Sequence, residues 1–504
     1  MSAAPPSPAD RRAPPPPLQM VLAFSKAGLG SASTLLVMAL LNKVVAVVGG
    51  PATLGLFSLL RQAELTGIAV ASSDGDKALV QGISARRDDT AAPRYIWHIG
   101  ALMLAITLAE AALLWIAAPW LSEAIFQTQT AALIWALRLV SLPVLLAVGS
   151  TWMIAILKSH LAVGKAVLVR TLGASVGCVA AVLAAQDGGP LALVGILIAT
   201  EAVSLLTAWG FTRRIGALPR RPAWSWSLAR ADGRAYLSVA GYLLVTGIAR
   251  NLAVMVIRAL FLRDLGLAYA GFFEAAWTVA GKSLLFLLDA IGTYYLPLLS
   301  AARQAAYRPQ LLRRLTRLAW SAGALAVTGL VVLKPLAVAV LYSNEFLESL
   351  VMLQWMIVGI YFQACSWPFT TAMLAFGDVR DAFRVDAVWL GIFLTGSAIA
   401  LGVMHQPAGV GVAYLIASGV MLAATARVAV RRYALAASRR MSATWVLGLG
   451  VVLGASWSTW GQIEVRWLGA GGWIGLAVVV ALAALQPEER RAILSRLTGR
   501  RPSD

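Results

Sequence analysis

Glu274, Lys282 and Asp289 stand eight and seven positions apart inside one apolar stretch. At about 100° per residue they fall within roughly 80° of arc, a single polar stripe down a helix. Arg250 and Arg258, eight apart in the preceding stretch, share a side in the same way. Arg61 and Glu64 are three apart, a spacing that lets them pair on one face. Lys26 and Lys43 complete the set in the first apolar stretch. An ionisable side chain in such a setting costs at least ~2–3 kcal/mol unless it meets water, a partner or a ligand. A basic stripe beside a mixed one describes a water-filled, net-cationic cavity better than a packed apolar core. Arg and Lys neutralise phosphate charge, so the chemistry expected of that cavity is the binding of an anion. Glu64, Glu274 and Asp289 are expected to hold a proton or cation, or to act in gating. Glu110, Glu201 and Lys334 also fall within apolar stretches, where a long side chain near an end can snorkel to water.

Nothing in the sequence sets up covalent chemistry. The three histidines, His98, His160 and His405, are dispersed without the spacing of a metal site. Cys178 and Cys365 both lie in apolar runs and read as small buried side chains rather than a disulfide or metal pair. Gly28, Gly30, Gly49 and Gly50 follow no nucleotide-loop pattern; the run at 49–51 reads as a tight turn, and most of the 44 glycines are expected to permit close helix packing. No catalytic residue, metal or cofactor is expected, and the chain is not expected to be an enzyme.

The elements that must position these charges follow from composition. Of 504 residues, 59% are hydrophobic and only 13% are charged, and the mean hydropathy is +0.76. A soluble domain carries about 25% charged residues. Apolar stretches of about twenty residues recur along the whole chain, fourteen in all, from residues 22–47 to residues 467–485. The predicted fold class is therefore all-α, a polytopic transmembrane helical transporter. Soluble enzyme folds, disulfide scaffolds and nucleic-acid-binding modules are excluded.

The net charge of +19 has a simpler cause than nucleic acid. Alternate connections carry thirty-two of the 42 Lys and Arg residues, including the clusters Arg213–Arg214, Arg220–Arg221, Arg313–Arg314, Arg431–Arg432 and Arg490–Arg491. The opposite connections hold only Arg258, Arg263 and Arg466. By the positive-inside rule both termini are cytoplasmic and the number of spans is even. The outward connections are short, so no sizeable outer domain is expected.

The longest basic connection divides the first twelve spans into two sets of six. The organisation expected is a Pro-rich tail at 1–18, a six-helix lobe at 19–211, a basic linker at 212–235 and a second six-helix lobe at 236–428. Two additional helices at 429–485 and a basic tail at 486–504 complete the chain. Paired lobes are a common transporter plan, with cargo handled at their interface. The last two helices carry Trp445, Trp457, Trp460, Trp467 and Trp473 and no ionisable core residue, which suits lipid-facing helices with interfacial indoles.

The segment KAGLGSASTLLVMALLNKVVAVVGGPATLGLFSLLRQ at residues 26–62 adds a resemblance. Lys43, Ala46, Gly50, Pro51, Gly55 and Leu56 resemble the end of the first helix and the start of the second in polysaccharide flippases of the multidrug/oligosaccharidyl-lipid/polysaccharide (MOP) exporter superfamily. Leu54 departs from that pattern by one residue. The likeness is strongest to the O-antigen and enterobacterial common antigen translocases, and it covers under a tenth of the chain.

The resemblance implies a flippase that moves undecaprenyl-diphosphate-linked oligosaccharide from the cytoplasmic to the periplasmic leaflet of the bacterial inner membrane. It implies alternating access coupled to a proton or sodium ion, with helices 1, 2, 7 and 8 lining the cavity. Those helices hold Lys26, Lys43, Arg61, Arg250, Arg258 and Lys282, the expected diphosphate contacts, and Glu64, Glu274 and Asp289, the expected coupling or gating groups. A polysaccharide polymerase and a chain-length regulator are the protein partners it suggests, and no nucleic acid. The alternatives are a lipid II flippase or multidrug antiporter of the same superfamily, or a membrane enzyme such as an O-antigen polymerase or ligase. A drug antiporter's cationic cargo would prefer an acidic cavity, and a polymerase needs a large outer loop. A scaffold protein would leave the buried charges unexplained.

Overall fold

A computed structural model describes residues 17–72, 91–160, 162–216, 225–282, 308–435 and 438–484, with Leu299 and a few positions between 79 and 86. Asp289 lies outside the described residues, as do most of the Pro-rich N-terminal tail, part of the basic linker and the basic C-terminal tail. Side chains are described from Val37 onward, so those of Lys26 and Lys282 also fall outside.

Every described element is helical. The first, α1 (Pro17–Ser72), is two spans joined at Gly50, whose φ of 73° and ψ of −175° interrupt the helix. Only glycine adopts that backbone freely, and Pro51 behind it is suited to the first helical position of the second arm. There follow α2 (Ala91–Phe126), α3 (Ala131–Ser159), α4 (Val163–Ala184) and α5 (Pro190–Arg214). Next come α6 (Trp226–Leu265) and α7 (Leu267–Trp277), which continues as a π-helical turn, Thr278–Lys282. The remainder is α8 (Arg308–Leu341), α9 (Leu350–Phe376), α10 (Val379–Gly402), α11 (Pro407–Tyr433), α12 (Arg439–Ser458) and α13 (Trp467–Ala484). Among the described residues twelve of these helices are long and apolar enough to cross a membrane, α1 counted once over Val37–Ser72. With α1 counted as two arms and α7 included, the described residues form fourteen α-helices of an all-α polytopic fold.

The helices pack in two sets. In the first, α5 lies against α3 and α4, α2 against α3, and α1 against α4. In the second, α11 lies against α9 and α10, α8 against α9, and α12 and α13 against α8. The sets meet where α1 packs on α6 and α7, and where α2 packs on α6.

Local chemistry explains several boundaries. α9 ends in a Schellman motif: Asp378 N donates to Met373 O at 2.8 Å and Gly377 N to Leu374 O at 3.2 Å, with Gly377 left-handed. The Asp378 carboxylate then accepts from Arg432 at 3.2 Å and Tyr433 at 2.7 Å, which ties this turn to the end of α11. Lys334, buried in α8, donates to Thr459 O at 2.8 Å and to Thr459 Oγ1 at 3.3 Å. Its ammonium thus satisfies a carbonyl just past the C-terminus of α12, where the helix dipole favours a cation. Lys334 anchors the last pair of helices to the second set rather than facing cargo.

Candidate functional site

The two sets touch most closely through glycine. A Cβ on Gly55 would lie 2.2 Å from Leu267 O, and one on Gly271 would lie 2.1 Å from Pro51 O. The second arm of α1 and α7 therefore cross backbone to backbone, which no larger residue permits. This crossing sits at the end of the bundle marked by Gly50 and Gly266, opposite the strongly basic end.

One turn deeper, about 12 Å along α7 from Gly266, a polar network binds four segments together. Glu274 and Arg258 are both buried and form an ion pair. Glu274 also accepts from Asn42 Nδ2 at 3.3 Å, on the first arm of α1, and from Thr278 Oγ1 at 2.9 Å. Arg258 donates to Ser58 O at 2.8 Å and to Gln62 Oε1 at 2.9 Å, both on the second arm. Gln62 Nε2 donates in turn to Asn251 Oδ1 at 2.9 Å and Asn251 O at 3.1 Å. Buried charges persist in an apolar setting only when paired and hydrogen-bonded, and this pair is both. Arg258 and Glu274 are thus committed to each other between α6 and α7, and through Asn42, Ser58 and Gln62 the pair reaches across the junction to both arms of α1.

Arg250 is placed differently. On α6 the exposed apolar residues Val245, Leu252 and Val256 mark the lipid-facing side. At about 100° per residue they lie roughly 200–240° around from Arg250. Arg250 nevertheless keeps half of its side chain exposed, so it opens onto a space within the bundle. Its guanidinium stands 5.5 Å over the Trp389 ring and 4.0 Å from Asp386, both on α10. Trp389 is backed by Phe393, Tyr414 and, through Phe393, by Trp277. A stacked guanidinium is held in orientation while its outer edge stays free to donate.

The other expected site residues divide. Lys43 Nζ donates to Val340 O at 2.5 Å and so caps the end of α8 from across the junction. Arg61 points Nη2 at Met38 Sδ, 3.2 Å away. No ion pair joins it to Glu64, contrary to the pairing their spacing suggests. Glu64 is buried within Coulombic reach of Glu201, Arg61 and Arg170. Arg170 pairs with Glu201 at 3.4 Å and donates to Thr151 at 3.0 Å. Two buried carboxylates, Glu64 and Glu201, thus lie in the first set near the guanidinium groups of Arg61 and Arg170.

Of the stripe expected from Glu274 through Lys282 to Asp289, only the side chain of Glu274 lies among those described. The π turn at Thr278–Lys282 hydrogen-bonds i to i+5, so the angular count made for an α-helix does not carry across it. Asn42, Gln62, Asn251 and Asp386 are members of these networks that charge-counting passed over. Three of them are uncharged amides, which in sequence look like ordinary helix residues.

At the basic end a second junction joins α6 to the first set. Asp232 Oδ2 lies 2.8 Å from His98 Nδ1 and 3.5 Å from Arg94 Nε. Tyr236 donates its hydroxyl to Ser72 O at 2.6 Å. α6 is thus fastened to the first set near both of its ends.

This architecture has known counterparts. A lipid II flippase, MurJ, in an inward closed conformation superposes with a TM-score of 0.67 at 13% identity, over 95% of this chain and 100% of that one. A MOP superfamily transporter from Pyrococcus furiosus matches with a TM-score of 0.61 at 15% identity, over 84% of this chain and 97% of that one. An inward-facing multidrug resistance MATE family transporter matches with a TM-score of 0.63 at 13% identity, over 86% and 99%. At such identities the likeness is one of fold. No curated protein matches the chain by sequence. A family profile described as polysaccharide biosynthesis protein matches residues 76–351, a stretch that holds Arg250, Arg258 and Glu274. More than half of the chain lies within that match, and the chain belongs to the polysaccharide biosynthesis protein family, built on the fold of the MOP superfamily transporters.

Proposed function

We propose that the protein is a flippase for polyprenyl-diphosphate-linked oligosaccharide, working by alternating access in the bacterial inner membrane with both termini cytoplasmic. The observation that carries this reading is Arg250, half-exposed on the side of α6 turned away from lipid and held by Trp389. A cation in that position meets an anion entering between the two sets, and a diphosphate is the anion that polysaccharide precursors carry. Lys26, Arg61 and Lys282 are proposed as further contacts to it. The glycan would occupy the space between the sets, and the polyprenyl chain would stay in lipid. No covalent step is needed, only a shift between two states that the cargo stabilises differently.

Within this reading Arg258 and Lys43 move from cargo contact to gating. The Arg258–Glu274 network and the Gly55–Gly271 crossing close the Gly50/Gly266 end, which the distribution of basic residues assigns to the periplasm. Opening that end requires both to separate. Glu64, beside Glu201 and Arg170, is proposed to take the coupling proton or sodium ion, with Asp289 as a second candidate.

A second reading, a lipid II flippase, has its own support. The likeness to MurJ extends over 95% of this chain, against 84% and 86% for the two other transporters compared above, and lipid II is also a polyprenyl diphosphate. A multidrug antiporter has the weaker case, because the wall at Arg250 is basic.

Conditional depletion separates these readings. Loss of surface polysaccharide with growth intact, and polyprenyl-linked glycan accumulating in the cytoplasmic leaflet, is the expected result. Arrested peptidoglycan synthesis and lysis would favour lipid II instead. Periplasmic accumulation of unpolymerised units would overturn flipping.

A further inference from the structure

A groove of about 350 Å³ opens among α2, α3 and α5 of the first set. Trp97, Gly100 and Leu104 of α2, Gly149 and Trp152 of α3 and Leu205 of α5 line it. None of its walls comes from α1, α6 or α7, the helices that carry Arg250 and the network around Arg258 and Glu274. Its depth comes from the two glycines. A Cβ on Gly100 would lie 2.8 Å from Trp152 Nε1, and one on Gly149 would lie 3.1 Å from Leu205 Cδ1. The indole of Trp152 is fixed by donating to Ile96 O at 3.0 Å, with its ring 5.4 Å from that of Trp97.

Every lining side chain is apolar or aromatic, and Leu104 is about half exposed on the open side. From Trp97 to Leu104 the groove runs roughly 10 Å along α2, most of the depth of one hydrocarbon leaflet, which is ~15 Å. It lies in the half of the bundle nearest the basic end. On α5, Leu205, Trp209 and Arg213 follow at intervals of four, so they descend one face from the groove toward that end. Arg213 is exposed and stands 5.4 Å over the Trp209 ring. A cation held on an indole at the end of an apolar groove matches a ligand with a hydrocarbon chain and an anionic head.

We propose that this groove holds one acyl chain of an anionic glycerophospholipid from the leaflet at the basic end, with its phosphate at Arg213. The polyprenyl chain of a cargo held at Arg250 is the less suited occupant, because no wall of the groove comes from α6, which carries Arg250, or from α10, which packs on it. Trp97 also adjoins His98, which holds Asp232 of α6, so a bound lipid rests beside the second junction.

Native mass spectrometry of the purified full chain, titrated with dioleoyl phosphatidylglycerol or dioleoyl phosphatidylethanolamine, tests this. Wild type should retain one phosphatidylglycerol with a preference of about fivefold over phosphatidylethanolamine, the effect of one basic residue near a membrane surface. Arg213→Gln should remove the preference while both lipids still bind. Ala101→Trp, which fills the groove from its half-buried wall, should remove retention of both, with an unchanged thermal midpoint reporting the fold. If that variant does not fold, Arg213→Gln alone decides. Absence of a preference in wild type, or wild-type preference in Arg213→Gln, would overturn the proposal. Wild-type retention by folded Ala101→Trp would do the same. Displacement of phosphatidylglycerol by equimolar undecaprenyl phosphate would also overturn it and give the groove to the cargo chain.

Discussion

Arg250 and Arg258 sit two helical turns apart on α6 and do different work. Arg258 has four neighbours that fix it: Glu274, the Ser58 carbonyl, Gln62 and, through Gln62, Asn251. Removing one member of a buried ion pair leaves the other uncompensated and destabilises by about 3–5 kcal/mol, whereas replacing both by apolar residues is often neutral. Arg258→Met alone should therefore lower the thermal midpoint and the yield of folded protein sharply. The double variant Arg258→Met/Glu274→Leu should recover most of both while remaining defective in export, because the apolar pair no longer draws the two sets together in one state only. Equal stability of the single and double variants would remove the pair from the junction. Counting charges in the sequence found both arginines. It could not rank them, because burial depends on which helix packs opposite, and spacing along one helix does not encode its neighbour.

At the scale of elements, the sequence carried the helices well. Long apolar runs define spans whatever their neighbours do, since a backbone in lipid must satisfy its hydrogen bonds within the helix. The break at Gly50–Pro51 was legible for the same reason, as a turn with the only residue suited to φ of 73°. What was not legible is instructive. The π turn after Trp277 has no signature in residue type, yet it shifts the phase on which the stripe from Glu274 to Lys282 depended. Gly271 resembles any other membrane glycine until Pro51 O is placed where its Cβ would be. The amides Asn42 and Gln62 became partners only when two helices distant in sequence were brought together. Gly271→Ala should hold α7 away from the second arm of α1 and shift the bundle toward the state open at that end. In a background with Cys178 and Cys365 replaced by alanine, Ser58→Cys is a buried reporter of this opening. Maleimide should label it several-fold faster with Gly271→Ala than with Gly271, and equal rates would contradict the crossing as a closure.

For the molecule as a whole, two helix sets with junctions near both ends of α6 make a device for opening one end at a time. The junction at Glu274 is built from side chains buried on all sides, and the one at Asp232 joins a His, an Arg and a buried carboxylate. Between them Arg250 faces the interior with half of its side chain free. That ordering is what a carrier of a bulky anion requires: a contact for the charged group midway, and closures on either side. The net charge of +19 has two components in this description. Most of it sits in the connections at one end, where it orients the chain in the membrane, and a few cations within the bundle face its interior or fasten its helices. The most direct measurement is transbilayer movement of a fluorescent polyprenyl-diphosphate oligosaccharide in proteoliposomes, read by quenching from outside. Wild type should move it well above the rate of protein-free vesicles. Arg250→Ala should slow it by at least about tenfold, the loss expected for one charge-assisted contact, while the protein inserts normally. Movement by wild type no faster than in protein-free vesicles, or undiminished movement by Arg250→Ala, would contradict a flippase that grips its cargo by the diphosphate.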